Sequence, residues 1–156
     1  MIDDLARALL EDKSVPMATV IKRITDGKDL LNPNVVKAVI DKDGYALYFS
    51  RSPIPFYRRS DEHHSILDIH SWFSAYSFEA GSQNYYKHIG IYAYTKDFLF
   101  TYTNLPKSRL EETERLEQLR ALENGYRIKT IETEFDTVGV DTPEDLKKVE
   151  ELLKIK

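Results

Sequence analysis

The chain has 156 residues, of which 42% are hydrophobic and 31% are charged, and its formal net charge is −4. These values fit a single globular domain over residues 1–156 and exclude an intrinsically disordered segment. The absence of cysteine excludes disulfides and thiolate catalysis, the mild acidity gives no reason to expect nucleic-acid binding, and no apolar run is long enough to span a bilayer.

The residue pattern in the first third of the chain predicts a helix followed by strands. Residues 1–11 are predicted as an amphipathic helix whose apolar side carries Ile2, Leu5, Leu9 and Leu10. The acidic opening at Asp3-Asp4 is unlike the basic start of a secretory leader, so we expect a cytoplasmic protein. The following patterns predict a strand at 17–24, a turn or short helix at 29–32, a β-branched run at 35–40, a hairpin-type turn at 43–44 and a strand covered on both faces at 45–49.

The rest of the chain alternates between strand and helix patterns. Residues 59–84 are predicted as a loop with a short helix, 86–94, 127–133 and 137–140 as strands, and 96–102 as a helix. The clearest helix is 110–124, with Leu116, Leu119 and Leu122 at helical spacing and a left-handed end at Asn124-Gly125. A last helix is capped by Thr142, begins at Pro143 and has an apolar stripe of Leu146, Val149, Leu152 and Leu153. Strands alternating with helices predict an α/β fold.

The strand at 86–94 carries the most informative pattern. Ile89, Ile91 and Ala93 share one face by period-two alternation, and the other face carries His88, Gly90, Tyr92 and Tyr94. The glycine leaves a gap between His88 and Tyr92 that a hydroxylated ligand could enter. The alternative, a half-buried strand whose polar groups are satisfied within the fold, stays open on these residues.

Two further groups of polar residues are candidate ligand contacts. Arg51 and Arg58 flank a stiff Pro-x-Pro segment, and guanidinium forks suit a carboxylate or phosphate. Glu117 and Gln118 lie between the core leucines of the predicted helix at 110–124. Solvated arginines on a loop, and a solvated helix flank for Glu117 and Gln118, are the alternatives.

One carboxylate and three histidines remain as candidate metal ligands. Asp141 lies between a predicted short strand and the last helix, at the rim of the sheet where α/β proteins bind ligands. It could hold Mg²⁺, which needs only one or two protein carboxylates, although a turn aspartate is equally compatible. His63, His64 and His70 have poor metal-ligand spacing, and we expect no metal role for them.

Four stretches together resemble one enzyme family. YFSRSPIP, KHIGIYAY, RLEQLRALENG and VGVDTPEDL are similar, in this order, to CMP-Kdo synthetases, also called 3-deoxy-manno-octulosonate cytidylyltransferases. The resemblance covers nearly the whole chain. It implies a Rossmann-like nucleotidyltransferase fold with a mixed sheet, and an enzyme that couples CTP to the sugar acid Kdo for lipopolysaccharide synthesis with release of pyrophosphate.

The resemblance also implies roles for individual residues. Arg51 and Arg58 match the arginines that hold the Kdo carboxylate, and His88 and Tyr92 match the residues that contact the sugar. Asp141 matches one of two aspartates that bind Mg²⁺ at the reacting phosphate. The polar pair that binds the sugar hydroxyls is matched by Glu117 and Gln118.

The family's basic, glycine-containing phosphate loop and its VQGDEP-type segment have no counterpart in these 156 residues. We therefore expect the sugar-binding, C-terminal part of such an enzyme, lacking the nucleotide-binding half and inactive by itself. Three alternatives stay open: a cytidylyltransferase for amino-Kdo or a sialic acid, a non-catalytic module for homodimer assembly, and an internal methionine at position 1 of a longer reading frame.

Overall fold

The computed structural model describes residues 1–56, 85–135 and 143–154. Within them, five strands form one mixed sheet in the order β3-β2-β4-β1-β5, which confirms the predicted α/β class. The strands are β1 (Met17–Arg23), β2 (Lys37–Ile40), β3 (Ala46–Ser50), β4 (Tyr86–Tyr94) and β5 (Ile128–Glu132). The helices are α1 (Ile2–Glu11), α2 (Gly27–Leu31), α3 (Lys96–Asn104), α4 (Arg109–Glu114), α5 (Gln118–Glu123) and α6 (Pro143–Lys154).

The strands of the sheet are joined by both parallel and antiparallel pairing. β1 pairs antiparallel with β4 and parallel with β5, while β2 pairs antiparallel with β3 and β4. None of the described helices is long and apolar enough to cross a bilayer.

The sheet has an apolar cluster on each face. On one face Leu5 of α1 covers Ala18, Val20 and Ile89. On the other face the side chains of β1 and β4 pack with those of α3 and α5 in the larger cluster, which includes Met17, Ile21, Phe49, Phe98, Tyr102 and Leu119. The alternation along β1 therefore sends successive residues to opposite faces, as a central strand requires.

The apolar side of α1 differs from the predicted one. Leu5 is buried, and Met1, Ala8 and Leu9 pack against the same cluster. Ile2 and Leu10 are exposed instead. The buried side thus follows positions i, i+4, i+7 and i+8, which is the regular helical stripe.

The strand at β3 is also covered less completely than predicted. Leu47 is 59% exposed although its neighbours Ala46 and Phe49 are buried. The pairing register shifts between Val39 and Ile40, so that Leu47 is an extra residue opposite β2. A bulge residue on an edge strand leaves the regular alternation, and this explains its exposure.

The predicted helix at 110–124 is two helices. α4 ends at Glu114, Arg115 adopts a left-handed conformation with φ of 55°, and α5 begins at Gln118. The left-handed end is confirmed at Gly125, whose φ is 81°. The unexpected break places Glu117 and Gln118 at the N-terminal end of a short helix rather than in the middle of a long one.

The last helix is present where predicted, but its stripe is not buried throughout. Leu146 and Leu153 of α6 are exposed. The predicted strand at 137–140 and the cap at Thr142 lie outside the described residues.

Candidate functional site

A row of aromatic rings crosses the sheet on the face covered by α3 and α5. The ring centroids of Phe49 and His88 lie 4.9 Å apart, those of His88 and Tyr92 5.4 Å, and those of Tyr92 and Tyr94 6.1 Å. Tyr94 in turn stacks on Phe98 of α3 at 6.3 Å. Such contacts fix ring orientations as well as burying apolar area, so His88 and Tyr92 are held in place before any ligand binds.

Open space is present beside Gly90, as predicted, but it does not separate His88 from Tyr92, whose ring centroids lie 5.4 Å apart. Gly90 is exposed, and no described atom lies within 4 Å of the position that a Cβ would take there. Ile89, Ile91 and Ala93 belong to the cluster under α1, whereas Tyr92 and Tyr94 pack on the opposite cluster. The predicted division of β4 into two faces is therefore confirmed.

The two polar rings beside the gap are uncharged at neutral pH. Burial lowers the pKa of His88 from 6.5 to about 4. Burial is the main reason why the pKa of Tyr92 is raised well above 10, and electrostatic interactions with Tyr94, Tyr102 and Glu117 act in the same direction. Neutral imidazole and phenol groups exchange hydrogen bonds with hydroxyl groups, so this part of the site suits an uncharged polar region of a ligand.

Glu117 and Gln118 lie on the turn that separates α4 from α5. The Tyr102 hydroxyl donates to the Glu117 carbonyl oxygen at 3.0 Å, which ties this turn to the aromatic row. Glu117 is exposed, as the solvated alternative predicted. Gln118, however, is only 3% exposed, and its Nε2 has no hydrogen-bond partner in the part of the chain that the structure describes. An unpaired buried donor costs about 1–3 kcal/mol, a cost that a bound ligand oxygen would remove.

Arg51 fastens the end of β3 to the same turn. Its Nε donates to the Glu114 carbonyl at 2.9 Å, one terminal nitrogen donates to the Pro33 carbonyl at 3.0 Å, and the other approaches the Arg115 carbonyl at 3.5 Å. A guanidinium has five N–H bonds, so two are left without a partner among the described residues and could bind an anion. Arg51 is thus half-buried and oriented rather than a freely solvated arginine.

The Glu114 carboxylate completes this connection. One of its oxygens accepts from the Ser50 hydroxyl at 2.7 Å and the other accepts from the Arg51 backbone N–H at 3.0 Å. The end of β3 and the α4–α5 turn are therefore joined by both side-chain and backbone hydrogen bonds.

A buried lysine next to this group was not predicted. Lys37 is fully buried, and its Nζ donates to the Asn32 and Val35 carbonyls at 2.9 and 2.6 Å. Burial lowers its pKa to about 8, with the positive charge of Arg51 acting in the same direction. Its place within the β-branched run at 35–40 was the only signal in the sequence, because a lysine in such a run alternates into the same layer as apolar neighbours.

Five of the predicted site residues fall in the described part of the chain, and their elements meet on one face of the sheet: Arg51, His88, Tyr92, Glu117 and Gln118. Arg58, Asp141 and the histidines at 63, 64 and 70 lie outside it. Within residues 1–56, 85–135 and 143–154, no three histidine, aspartate or glutamate side chains cluster as metal ligands would. The magnesium site implied for Asp141 stays a prediction.

Comparison with known proteins gives a consistent result. A sequence profile described as cytidylyltransferase matches residues 1–131. A 3-deoxy-manno-octulosonate cytidylyltransferase of Pelobacter propionicus is 51% identical over 151 residues, covering 97% of this chain and 56% of the relative. The enzyme of the same name from Geobacter sulfurreducens is 49% identical over 154 residues, covering 99% of this chain and 58% of the relative.

A solved structure shares the fold. The structure of CMP:2-keto-3-deoxy-manno-octonic acid synthetase complexed with CTP matches 98% of this chain and 55% of that chain, with a TM-score of 0.78 and 37% sequence identity. The mixed sheet is therefore that of a nucleotidyltransferase, as the sequence resemblance implied. The chain spans a little over half the length of the relatives it matches.

Proposed function

The chain belongs to the cytidylyltransferase family, and we propose that it serves the transfer of CMP from CTP to the sugar acid Kdo, with release of pyrophosphate, for lipopolysaccharide synthesis. The names of the relatives and the CTP complex of the structural neighbour support this assignment. The observation that carries it in this chain is the meeting of a neutral aromatic face with an unpaired buried amide and an oriented arginine.

Each of these groups suits one part of a sugar acid. His88 and Tyr92, both neutral, are proposed to contact the sugar beside the gap at Gly90. The Gln118 amide is proposed to donate to a sugar oxygen, and the exposed Glu117 carboxylate to accept from a hydroxyl. The chain's part in the reaction is then positioning: a sugar hydroxyl held in line with the α-phosphate of CTP attacks it as pyrophosphate leaves.

The carboxylate of the sugar acid needs a cation. Arg51 is proposed to supply it, together with Arg58, through the N–H bonds that its contacts with Glu114, Pro33 and Arg115 leave over. Asp141 is proposed to hold Mg²⁺, which would neutralise phosphate charge when bound.

The binding role of Glu117 can be tested in the isolated chain. We expect Kdo to bind to the wild type in saturation-transfer NMR or calorimetry, and E117Q to weaken binding about tenfold through loss of a charged hydrogen-bond acceptor. E112Q is the matched control, because Glu112 is an exposed glutamate on the preceding helix. Amino-Kdo and a sialic acid, tested in parallel, decide between the sugar-acid alternatives.

The same protein sample should not release pyrophosphate from CTP and Kdo, because these 156 residues contain no glycine-rich phosphate loop. Turnover by the purified chain would contradict the proposed inactivity. A folded wild type that does not bind Kdo, or equal losses in E117Q and E112Q, would contradict the proposed site.

A non-catalytic role in homodimer assembly is a second candidate, and it is favoured by one observation. Leu99 and Phe100 of α3 are exposed next to each other, and exposed apolar pairs of this kind occur in subunit interfaces. Sedimentation at varied concentration should show self-association that weakens in the L99S/F100S variant. A strict monomer at all concentrations would argue against this role.

A further inference from the structure

Thr19 is a buried polar residue that neither the sequence patterns nor the proposed site accounts for. It lies in β1 with 0% exposure, between Ala18 and Val20, which are equally buried. Alternation places it on the same face as Met17 and Ile21, which belong to the cluster that contains Tyr92. Its hydroxyl is therefore directed toward the side of the sheet that carries the candidate site.

A bulge in β4 determines what this hydroxyl contacts. Thr19 pairs with Tyr92, but the next residue, Val20, pairs with Ile89. Gly90 and Ile91 are thus two extra residues on β4, and an even number preserves the alternation of its faces. The Thr19 Oγ lies 2.8 Å from the Ile91 carbonyl oxygen and 2.8 Å from the His88 Nε2.

These two short contacts define the direction of both hydrogen bonds. A threonine hydroxyl has one proton, and the Ile91 carbonyl can only accept it. The Thr19 oxygen must then accept from His88, which requires a proton on Nε2. The opposite arrangement would leave two acceptor oxygens 2.8 Å apart without a proton between them.

The protonation state of the other ring nitrogen of His88, Nδ1, follows from this arrangement. A neutral imidazole has one N–H, so Nδ1 carries a lone pair. Nδ1 has no hydrogen-bond partner among the described residues. The ring is neutral at physiological pH because burial lowers the pKa of His88 to about 4.

We propose that Thr19 is a positioning residue that fixes the Nε2–H tautomer of His88, so that Nδ1 accepts a hydrogen bond from a ligand hydroxyl. The second partner of a histidine commonly sets its tautomer in this way. A site built like this selects a ligand group that carries a proton, and it disfavours a carboxylate, a phosphate oxygen or an O-alkylated hydroxyl at that point. The identity of the ligand rests on the proposed function, but the tautomer does not.

The tautomer can be observed without any ligand. In the ¹⁵N-labelled chain at neutral pH, long-range ¹H–¹⁵N spectra should show a pyridine-like Nδ1 and a pyrrole-like Nε2 for His88. H88Q identifies its signals among those of the four histidines. In T19V the two shifts should move toward each other because the Nε2–H loses its acceptor, whereas T19S should resemble the wild type.

A pyrrole-like Nδ1 in the wild type would overturn the proposal, and so would unchanged His88 shifts in a folded T19V. If T19V does not give a cooperative thermal melt, T19A replaces it with the same expected shifts. Neither outcome depends on whether the chain binds Kdo.

Ligand binding then tests the consequence for specificity. We expect Kdo affinity to fall about tenfold in T19V, because Nδ1 is no longer held as the acceptor of a ligand hydroxyl and that neutral hydrogen bond, of about 1.4 kcal/mol, is lost. In T19S the affinity should fall by less than about twofold. Wild-type tautomer signals as expected with no Kdo binding would contradict the proposed function alone. Equal Kdo affinity in wild type and T19V, with the shifts altered, would overturn the proposed role of Nδ1.

Discussion

Replacing Arg120 with methionine is expected to lower the free energy of unfolding by about 3–5 kcal/mol at neutral pH, because it leaves a buried carboxylate without its partner. The Arg120 Nε donates to one Glu111 oxygen at 2.7 Å, and a terminal nitrogen donates to the other. The two side chains are only 15% and 7% exposed. Urea unfolding at pH 7 measures the loss.

The pH dependence gives a second check on this ion pair. The hydrogen bond from Arg120 is the main reason why the pKa of Glu111 is lowered in the fold. A carboxyl group with a lowered folded pKa stabilises the fold above its unfolded pKa, near 4.3, and the stabilisation is lost as the pH falls through the folded pKa. The difference between wild type and R120M should therefore shrink below about pH 4.

A matched control exists at the end of β1. Arg23 also pairs with a glutamate, Glu132, but the two side chains are 50% and 39% exposed. Each arginine additionally lies over a tyrosine ring, Arg23 at 5.2 Å from Tyr86 and Arg120 at 5.1 Å from Tyr102. R23M should cost no more than about 1 kcal/mol, the usual range for an exposed pair.

Removing the unpaired charge of Glu111 should restore part of the stability that R120M loses. In the R120M/E111Q double variant neither position of the pair carries a charge, and glutamine can still serve the capping box that Glu111 forms with Ser108. We expect the double variant to be more stable than R120M alone. Equal losses in R120M and R23M would contradict the assignment of a buried, tightly coupled pair.

Features that depend on regular alternation along a strand could be predicted from the sequence. The two faces of β4 were predicted from Ile89, Ile91 and Ala93, and the prediction survives a bulge because that bulge adds two residues. The strand pattern also placed His88 and Tyr92 on one face with a gap at Gly90. Period-two patterns are local, so they can be read without the partner strands.

Features created by distant hydrogen bonds could not be predicted. Nothing in the residues around Arg115 indicates a helix break, since glycine, asparagine or proline is the usual signal. In the fold the break is stabilised by the residue that follows β3, since Arg51 donates to the Glu114 carbonyl. The consequence is that Gln118 is buried rather than solvated on a helix flank.

Buried polar residues were missed for the same reason. Thr19 has no local pattern that distinguishes it from a solvated residue in a strand, and for Lys37 the β-branched run around it is the only local signal. Their partners are carbonyl oxygens exposed by a loop and by a bulge, the Val35 and Ile91 carbonyls. Irregular backbone creates these acceptors, and the positions of such irregularities depend on strand pairing across the sheet.

Acidification from pH 7.5 to pH 5 is expected to lower the free energy of unfolding by about 2 kcal/mol through His88. Burial places the pKa of His88 at about 4 in the fold, below its ordinary value of 6.5. The unfolded chain therefore binds a proton in this range that the folded chain does not. The stabilisation is complete above about pH 6.5 and declines as the pH falls toward 4.

Urea unfolding at several pH values, on wild type and H88Q, isolates this contribution. The carboxyl groups whose pKa is lowered, such as Asp41 and Glu111, change charge below this pH range. The other three histidines are present in both proteins, so their titration cancels in the comparison. Glutamine keeps an N–H donor for Thr19, so the fold around position 88 is retained. H88Q should lose about 2 kcal/mol less than the wild type between pH 7.5 and 5. If the free energies of unfolding of wild type and H88Q instead changed equally with pH, His88 would protonate freely in the fold. Nδ1 would then lack its lone pair at mildly acidic pH and could not accept the proposed hydrogen bond from the sugar.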